Sequence, residues 1–257
     1  MTAPRPRPYI VESDRFFTLH FEESQIQSMM SREGPSALVV PYTRAMAGFA
    51  LFVPRPARIS MIGLGGGSLV KHCLRTCLLP TPSAKMTVVE LLPEVVALRG
   101  RFGLPADGAQ LSVVVAEGST WIADLPQQAD VLLVDGFDHA GQAPELTTPA
   151  FYAGARAHLR QGGVMVVNLN LDDEAHRRHI RRIRDVFQGE LTVVTSEDES
   201  NKVVFATRGP LPSTELLTLR AVGLEPEHAV GLPALAEKIA ENLRRRPAAR
   251  RRAAARI

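Results

Sequence analysis

From Arg58 to Thr207 the sequence alternates short apolar, β-branched runs with amphipathic stretches, and this alternation restricts the fold more than any other feature. Strands are expected at Ile59–Ile62, Met86–Glu90, Leu111–Val115, Val131–Asp135, Val164–Asn168, Leu191–Thr195 and Val203–Thr207. Helical stretches lie between them. In Ser68–Leu78 the residues Leu69, Val70, Cys73, Leu74, Cys77 and Leu78 share one apolar face; Pro93–Arg101, Pro149–Leu159 and Glu174–Phe187 are the others. Parallel strands need crossovers of this kind, so the pattern implies a mostly parallel sheet with helices on both faces. Only Ser196–Lys202 separates the last two strands. That is too short for a crossover helix, so the pair is expected as an antiparallel hairpin.

Five parallel strands closed by a reversed one point to an α/β, Rossmann-like class I methyltransferase fold, with a seven-stranded mostly parallel sheet and an antiparallel terminal hairpin. Before it, Arg15–Phe21 and Gln25–Met29 partly alternate apolar and polar residues, and Ser36–Val40 is β-rich. These suggest a small N-terminal β region, followed by a helix over Thr43–Phe52 that Pro54 and Pro56 end. The expected division is 1–56 for the β region and its linking helix, 57–208 for the nucleoside-binding catalytic domain, 209–243 for a helical extension and 244–257 for an Arg-rich tail.

The tail RRRPAARRRAAARI carries seven arginines and no acid, which leaves −4 on the preceding residues against +3 for the whole chain. It reads as a solvated helix end. Nonspecific contact with RNA or an acidic partner is the alternative, and no aromatic residues accompany it for base stacking. No apolar run reaches about eighteen residues, and MTAPRPRPYIVESD lacks the apolar core of a signal peptide, so a cytoplasmic protein without a membrane span is expected. The two cysteines, Cys73 and Cys77, read as buried packing residues, since no further thiols or histidines complete a metal site.

In an open α/β sheet, ligands sit at the carboxyl ends of the strands where strand order reverses. Gly63-Leu-Gly65-Gly66-Gly67-Ser68 follows the first core strand, and its glycines let backbone N–H groups approach a ligand. A dinucleotide fingerprint would place glycine at 68, where Ser68 stands; G-x-G-x-G is nearer the adenosylmethionine pattern. Glu90 ends the second strand, placed to accept from both ribose hydroxyls; the alternative is an exposed strand-end acid. Glu117, with Gly118 after the third strand, is either a partner for an adenine amino group or a helix N-terminal acid favoured by the dipole. Asp135 and Asp138 follow the fourth strand, beside His139. Two carboxylates there suit holding a cationic amine and accepting its proton; turn-forming aspartates are the alternative.

From about Tyr9 to Thr207 the chain resembles the spermidine synthase (polyamine aminopropyltransferase) family, in particular its shorter bacterial spermidine synthase-like members. GLGGGSL, VVELLPEVV, AEGSTWIADL and ADVLLVDGFDHAGQAPELTTPAFYAGARAHLRQGGVMVVNL follow that family's order. The resemblance implies that Glu90 holds the ribose, Glu117 helps hold adenine, Asp135 is the base on the attacking amine and Asp138 lines the amine pocket. Gln27 resembles the family's glutamine near the sulfonium, and Tyr42 its substrate-side tyrosine. It also implies a homodimer with no tightly bound cofactor, using decarboxylated S-adenosylmethionine (or S-adenosylmethionine) as co-substrate and a small-molecule amine as acceptor.

The sequence departs from the family on the amine side. Ser68 replaces the aspartate of G-G-G-D-G, Thr43 and Arg44 follow the tyrosine where His or Gln and then Glu are usual, D-S-x-D-P has become Asp135-Gly-Phe-Asp138-His, and Asn168-Leu-Asn170 follows the fifth strand. The first expectation is therefore aminopropyl transfer to putrescine or another polyamine. A methyltransferase using intact S-adenosylmethionine and a non-catalytic nucleoside-binding paralogue are the alternatives.

Overall fold

A computed structural model describes residues 7–22, 25–123, 125, 127–138, 141–171 and 175–245. The chain opens with a three-stranded antiparallel sheet of β1 (Tyr9–Glu12), β2 (Phe16–Glu22) and β3 (Gln25–Ser31), in the order β1-β2-β3. Two short helices follow, α1 (Pro41–Ala47) and α2 (Phe49–Phe52). The alternating region then runs β4 (Arg58–Ile62), α3 (Ser68–Cys73), β5 (Lys85–Glu90), α4 (Pro93–Leu98), β6 (Leu111–Val115), α5 (Gly118–Ala123), β7 (Ala129–Val134), a small hairpin of β8 (Phe137–Asp138) and β9 (Gly141–Gln142), α6 (Pro149–His158), β10 (Leu159–Asn170), α7 (His176–Val186), β11 (Leu191–Thr195) and β12 (Asn201–Thr207). It ends in α8 (Thr214–His228) and α9 (Leu232–Arg244).

The main sheet has the order β11-β12-β10-β7-β4-β5-β6. β10, β7, β4, β5 and β6 are mutually parallel, and β12 runs antiparallel to both β10 and β11. This is the expected seven-stranded sheet with its reversed terminal hairpin. Its central strands are buried on both faces, which is why ADVLLV and VMVVNL read as nearly continuous apolar runs. Successive side chains still divide by face. Leu133 and Val166 join a core with Phe49, Leu69, Leu217 and Ile239, while Leu132, Val134, Met165 and Val167 join another with Phe151, Tyr152, Ile183 and Phe187.

Three differences from the sequence reading concern the N-terminal region. Ser36–Val40 forms no strand. Pro35 and Pro41 bracket it, Pro41 starts α1, and Leu38 is buried in the core without joining a sheet. Tyr9–Glu12 is a strand that periodicity did not reveal, because it is a largely exposed edge paired only with β2. The helix expected from Thr43 begins at Pro41 and is interrupted at Gly48, and the helix from Ser68 finishes in a π-helical turn over Leu74–Leu78.

The C-terminal helices are fastened to the core by polar contacts. Arg220 Nη1 donates to the carbonyls of Leu51 and Phe52 at the end of α2, both at 2.8 Å. His72 Nε2 lies 3.1 Å from His228 Nδ1, a buried pair joining α3 to the end of α8. Burial, with help from His228 and Arg75, pushes His72 down to about 3, so the pair stays neutral at physiological pH. Cys73 and Cys77 are buried free thiols. Among the described residues no helix is long and apolar enough to cross a membrane. Of the Arg-rich tail only Arg244 and Arg245 fall within the described residues.

Candidate active site

A cavity of about 390 Å³ opens at the carboxyl ends of β4, β5, β6 and β7, the place where an open α/β sheet holds its ligands. The small sheet closes one side through Leu19, Phe21, Gln27 and Ser28.

One half of this cavity is built from loop backbone. β4 is followed by Gly63, whose φ of +92° and close approach to the Asp135 carbonyl oxygen leave no room for a Cβ. Gly63 and Gly65 line the cavity; Gly66 and Gly67 do not. Gly66 packs against Ser28 and the Phe102 ring, and Gly67 starts α3 at φ +68° against Leu104. Close packing is therefore what makes these two positions glycine. Ser68, on the cavity wall, turns its hydroxyl toward the Met29 carbonyl at 3.4 Å.

Glu90 is buried at the end of β5. Its Oε2 accepts from the Leu64 N–H and its Oε1 from the Leu92 N–H, both at 2.9 Å. Burial raises its carboxyl above the usual range, and these backbone donors offset part of that. The carboxylate thus pins the glycine loop, and each oxygen keeps a further lone pair for a ligand hydroxyl. Glu117 also reaches the cavity, but its oxygens are occupied by the backbone N–H and hydroxyl groups of Ser119 and Thr120 at 2.7–2.9 Å. Burial alone would raise this carboxyl; the Ser119 and Thr120 donors outweigh it and hold it below the usual range. Its first role is to cap α5. Gly118 follows it, packed against Ile62 and Leu146.

The other half is built from side chains that distant segments bring together. Asp135 stands just beyond β7. Its Oδ2 accepts from the Tyr42 hydroxyl at 3.1 Å and its Oδ1 from Asn168 Nδ2 at 2.9 Å. Burial raises the Asp135 carboxyl against both donors, and raises the Tyr42 phenol, which the Asp135 charge lifts further. Asp135, Tyr42 and Gln27 line the same cavity as Glu90. The side chain of Asp138, at the start of the β8–β9 turn, and all of His139 lie outside the described residues.

The family model described as "Spermine/spermidine synthase domain" matches residues 39–196. A polyamine aminopropyltransferase from Neisseria meningitidis serogroup A is 34% identical over 203 residues, covering 78% of this chain and 76% of its own length. The chain belongs to the spermine/spermidine synthase domain family. A polyamine aminopropyltransferase from Chromobacterium violaceum is 33% identical over 228 residues, covering 88% and 86%. Among solved structures, a spermidine synthase in complex with the transition state analogue AdoDATO superposes with a TM-score of 0.62 at 19% identity, over 91% of this chain and 88% of that one.

Sequence reasoning missed several residues on the wall of this spermidine synthase-type cavity. Ser28, Thr43 and Glu145 line it. Glu145 comes from a 3-10 turn, Pro144–Thr147, that follows β9, and nothing in its sequence context marks it. Asn168 stood out as a departure from the family pattern, but not as a partner of Asp135.

Proposed function

We propose that the protein is an aminopropyltransferase of polyamine biosynthesis, moving the propylamine group of decarboxylated S-adenosylmethionine to a small amine. The observation that carries this reading is the charge of the cavity. Glu90, Glu117, Asp135 and Glu145 line it, and among the described residues no lysine, arginine or histidine does. Such a wall favours a sulfonium carrying an ammonium group and an amine acceptor, all cationic. Its described residues offer no side-chain cation to the carboxylate of intact S-adenosylmethionine.

On this reading Glu90 accepts from the ribose hydroxyls and the Gly63–Gly65 backbone faces the sulfonium end of the donor, with Gln27 across from it. The acceptor enters as an ammonium ion beside Asp135. Asp135 removes one proton, and the freed nitrogen lone pair attacks the propyl carbon attached to sulfur. A C–N bond forms, the C–S bond breaks, and its electron pair stays on sulfur, leaving neutral methylthioadenosine. Burial makes Asp135 a stronger base than an exposed aspartate. Tyr42 and Asn168 hold its two oxygens in a fixed direction. The cavity contributes chiefly alignment, since the sulfonium is already a good leaving group. We place the reaction in the cytoplasm, in keeping with two free thiols.

Calorimetric titration with decarboxylated S-adenosylmethionine, S-adenosylmethionine and methylthioadenosine, each with and without a panel of di- and polyamines, tests the proposal. Tighter binding of the decarboxylated donor and release of methylthioadenosine on adding one amine are expected. Preference for intact S-adenosylmethionine would make the protein a methyltransferase, and binding of none would make it non-catalytic.

A further inference from the structure

Two of the departures on the acceptor side, Arg44 and Asn168, are tied to one element, the hairpin turn between β11 and β12. Asn201 opens β12, and its Nδ2 donates to Asn168 Oδ1 at 2.9 Å. An amide has one acceptor end and one donor end. With its oxygen taken by Asn201, buried Asn168 must present its nitrogen to Asp135 Oδ1. Asn201 is itself fixed: its N–H donates to Ser196 Oγ at 3.0 Å, and its carbonyl accepts from the Ser196 N–H at 2.9 Å. Asp198 gathers the hydroxyls of Ser196 (2.6 Å) and Ser200 (2.7 Å) inside the turn.

The same turn also ties down the helix that carries the other partner of Asp135. Glu197 accepts from Arg44 Nη2 at 2.6 Å, while Arg44 Nη1 donates to the Leu38 and Val39 carbonyls at 2.9 and 3.0 Å. Arg44 lies on α1, two residues after Tyr42, whose hydroxyl holds Asp135 Oδ2. The hairpin thus holds Asn168 directly and anchors, through Arg44, the helix on which Tyr42 sits.

We infer that the β11–β12 turn is a positioning device for Asp135, and that Asn201 is a positioning residue acting through the amide of Asn168. This rests on Asp135 being the base that accepts the amine proton. Without Asn201, the Asn168 amide is free to rotate and to turn its oxygen toward Asp135, which disfavours the carboxylate and leaves less of the base form at a given pH. Among the described residues, the other ionisable groups on the cavity wall are Tyr42, Glu90, Glu117 and Glu145, and these, like the Arg44–Glu197 pair at α1, are unaltered by a change at Asn201.

The test is the pH dependence of kcat/KM for the amine in Asn201→Ala, Asn168→Ala and the double variant, with donor affinity measured alongside. Asn201→Ala is expected to move the acid limb up by about half a pH unit to one unit. The rate deficit should reach about three- to tenfold below the limb and shrink to none above it, with donor Kd within about twofold of the parent. In the Asn168→Ala background the same change should add nothing. A deficit equal at every pH, a matching fall in donor affinity, or additive effects would overturn the inference. Asn201→Ser, with a smaller side chain that still hydrogen-bonds, replaces Asn201→Ala if the latter does not fold. Asp135→Asn separates this from the underlying reading: if that variant turns over, Asp135 is not the base, whereas an inactive Asp135→Asn beside an unshifted Asn201→Ala removes only the positioning role.

Discussion

The two ends of the cavity, which the proposed reaction gives to the donor and to the acceptor, are made in different ways. On the donor side, Glu90 bonds to backbone N–H groups of its own turn and of the loop after β4, so the geometry belongs to short segments at fixed places in a parallel sheet. On the acceptor side, Asp135 is held by side chains 93 and 33 residues away, and one of these is held in turn by a residue 33 further on. A backbone-built site tolerates changes of side chain, because its donors are peptide groups. A site built from side chains is retuned by each substitution.

The sharpest way to break the comparison is to disable one half and measure the other. Asp135→Asn keeps the packing, because the new amide can accept from Asn168 and donate to the Tyr42 oxygen. Turnover should fall by roughly a thousandfold while donor affinity, read by calorimetry, stays within about threefold. Thermal stability should hold or rise at neutral pH, since a neutral amide replaces a carboxylate that burial disfavours. Parallel loss of donor binding would show that the halves are not separate. Glu90→Gln is the converse. One backbone donor, from Leu64 or Leu92, would then face an amide N–H, and donor affinity should drop by about ten- to a hundredfold. At saturating donor, kcat should change far less than Kd. A kcat loss as large as that of Asp135→Asn would mean the glycine loop also positions the acceptor.

How much was legible follows the same division. The β/α alternation, the short Ser196–Lys202 connection and the strand-end position of Glu90 are local facts, and each led to the observed sheet or cavity wall. Glu117 was read with two roles open, and its bonds to Ser119 and Thr120 answer to the helix-capping one. Ser36–Val40 misled because an apolar run is buried by packing as readily as by a ladder, and only its flanking prolines signalled the difference. The partners of Asp135 were not legible as partners. They depend on β10 lying beside β7 and on β12 beside β10, and on α1 meeting the sheet's end, none of which has a signature at a fixed spacing.

Tyr42→Phe probes the acceptor half more gently. Losing the hydroxyl removes a donor to Asp135 Oδ2, worth about 1 kcal/mol. The carboxyl, already raised by burial, should rise further. Because only the carboxylate accepts the proton, the acid limb of kcat/KM should move to higher pH, with a deficit of up to about fivefold below the limb that narrows as the solution becomes more alkaline. Donor binding should be unmoved. An acid limb that stays in place would mean Tyr42 contributes contact with the acceptor and not control of the base.

The smallest effect tests the donor half where its two readings compete. In Glu117→Gln the side chain keeps one acceptor, so the N–H groups of Ser119 and Thr120 lose part of their cap and the folded state should lose about 1 kcal/mol, measured by denaturant unfolding. Donor affinity should fall no more than about threefold, because the carboxylate's bonds are spent on its own helix. If affinity instead falls as far as in Glu90→Gln with stability unchanged, Glu117 turns toward the nucleobase when the donor binds. The donor half would then also depend on a side chain that changes partners, and the contrast with the acceptor half would narrow.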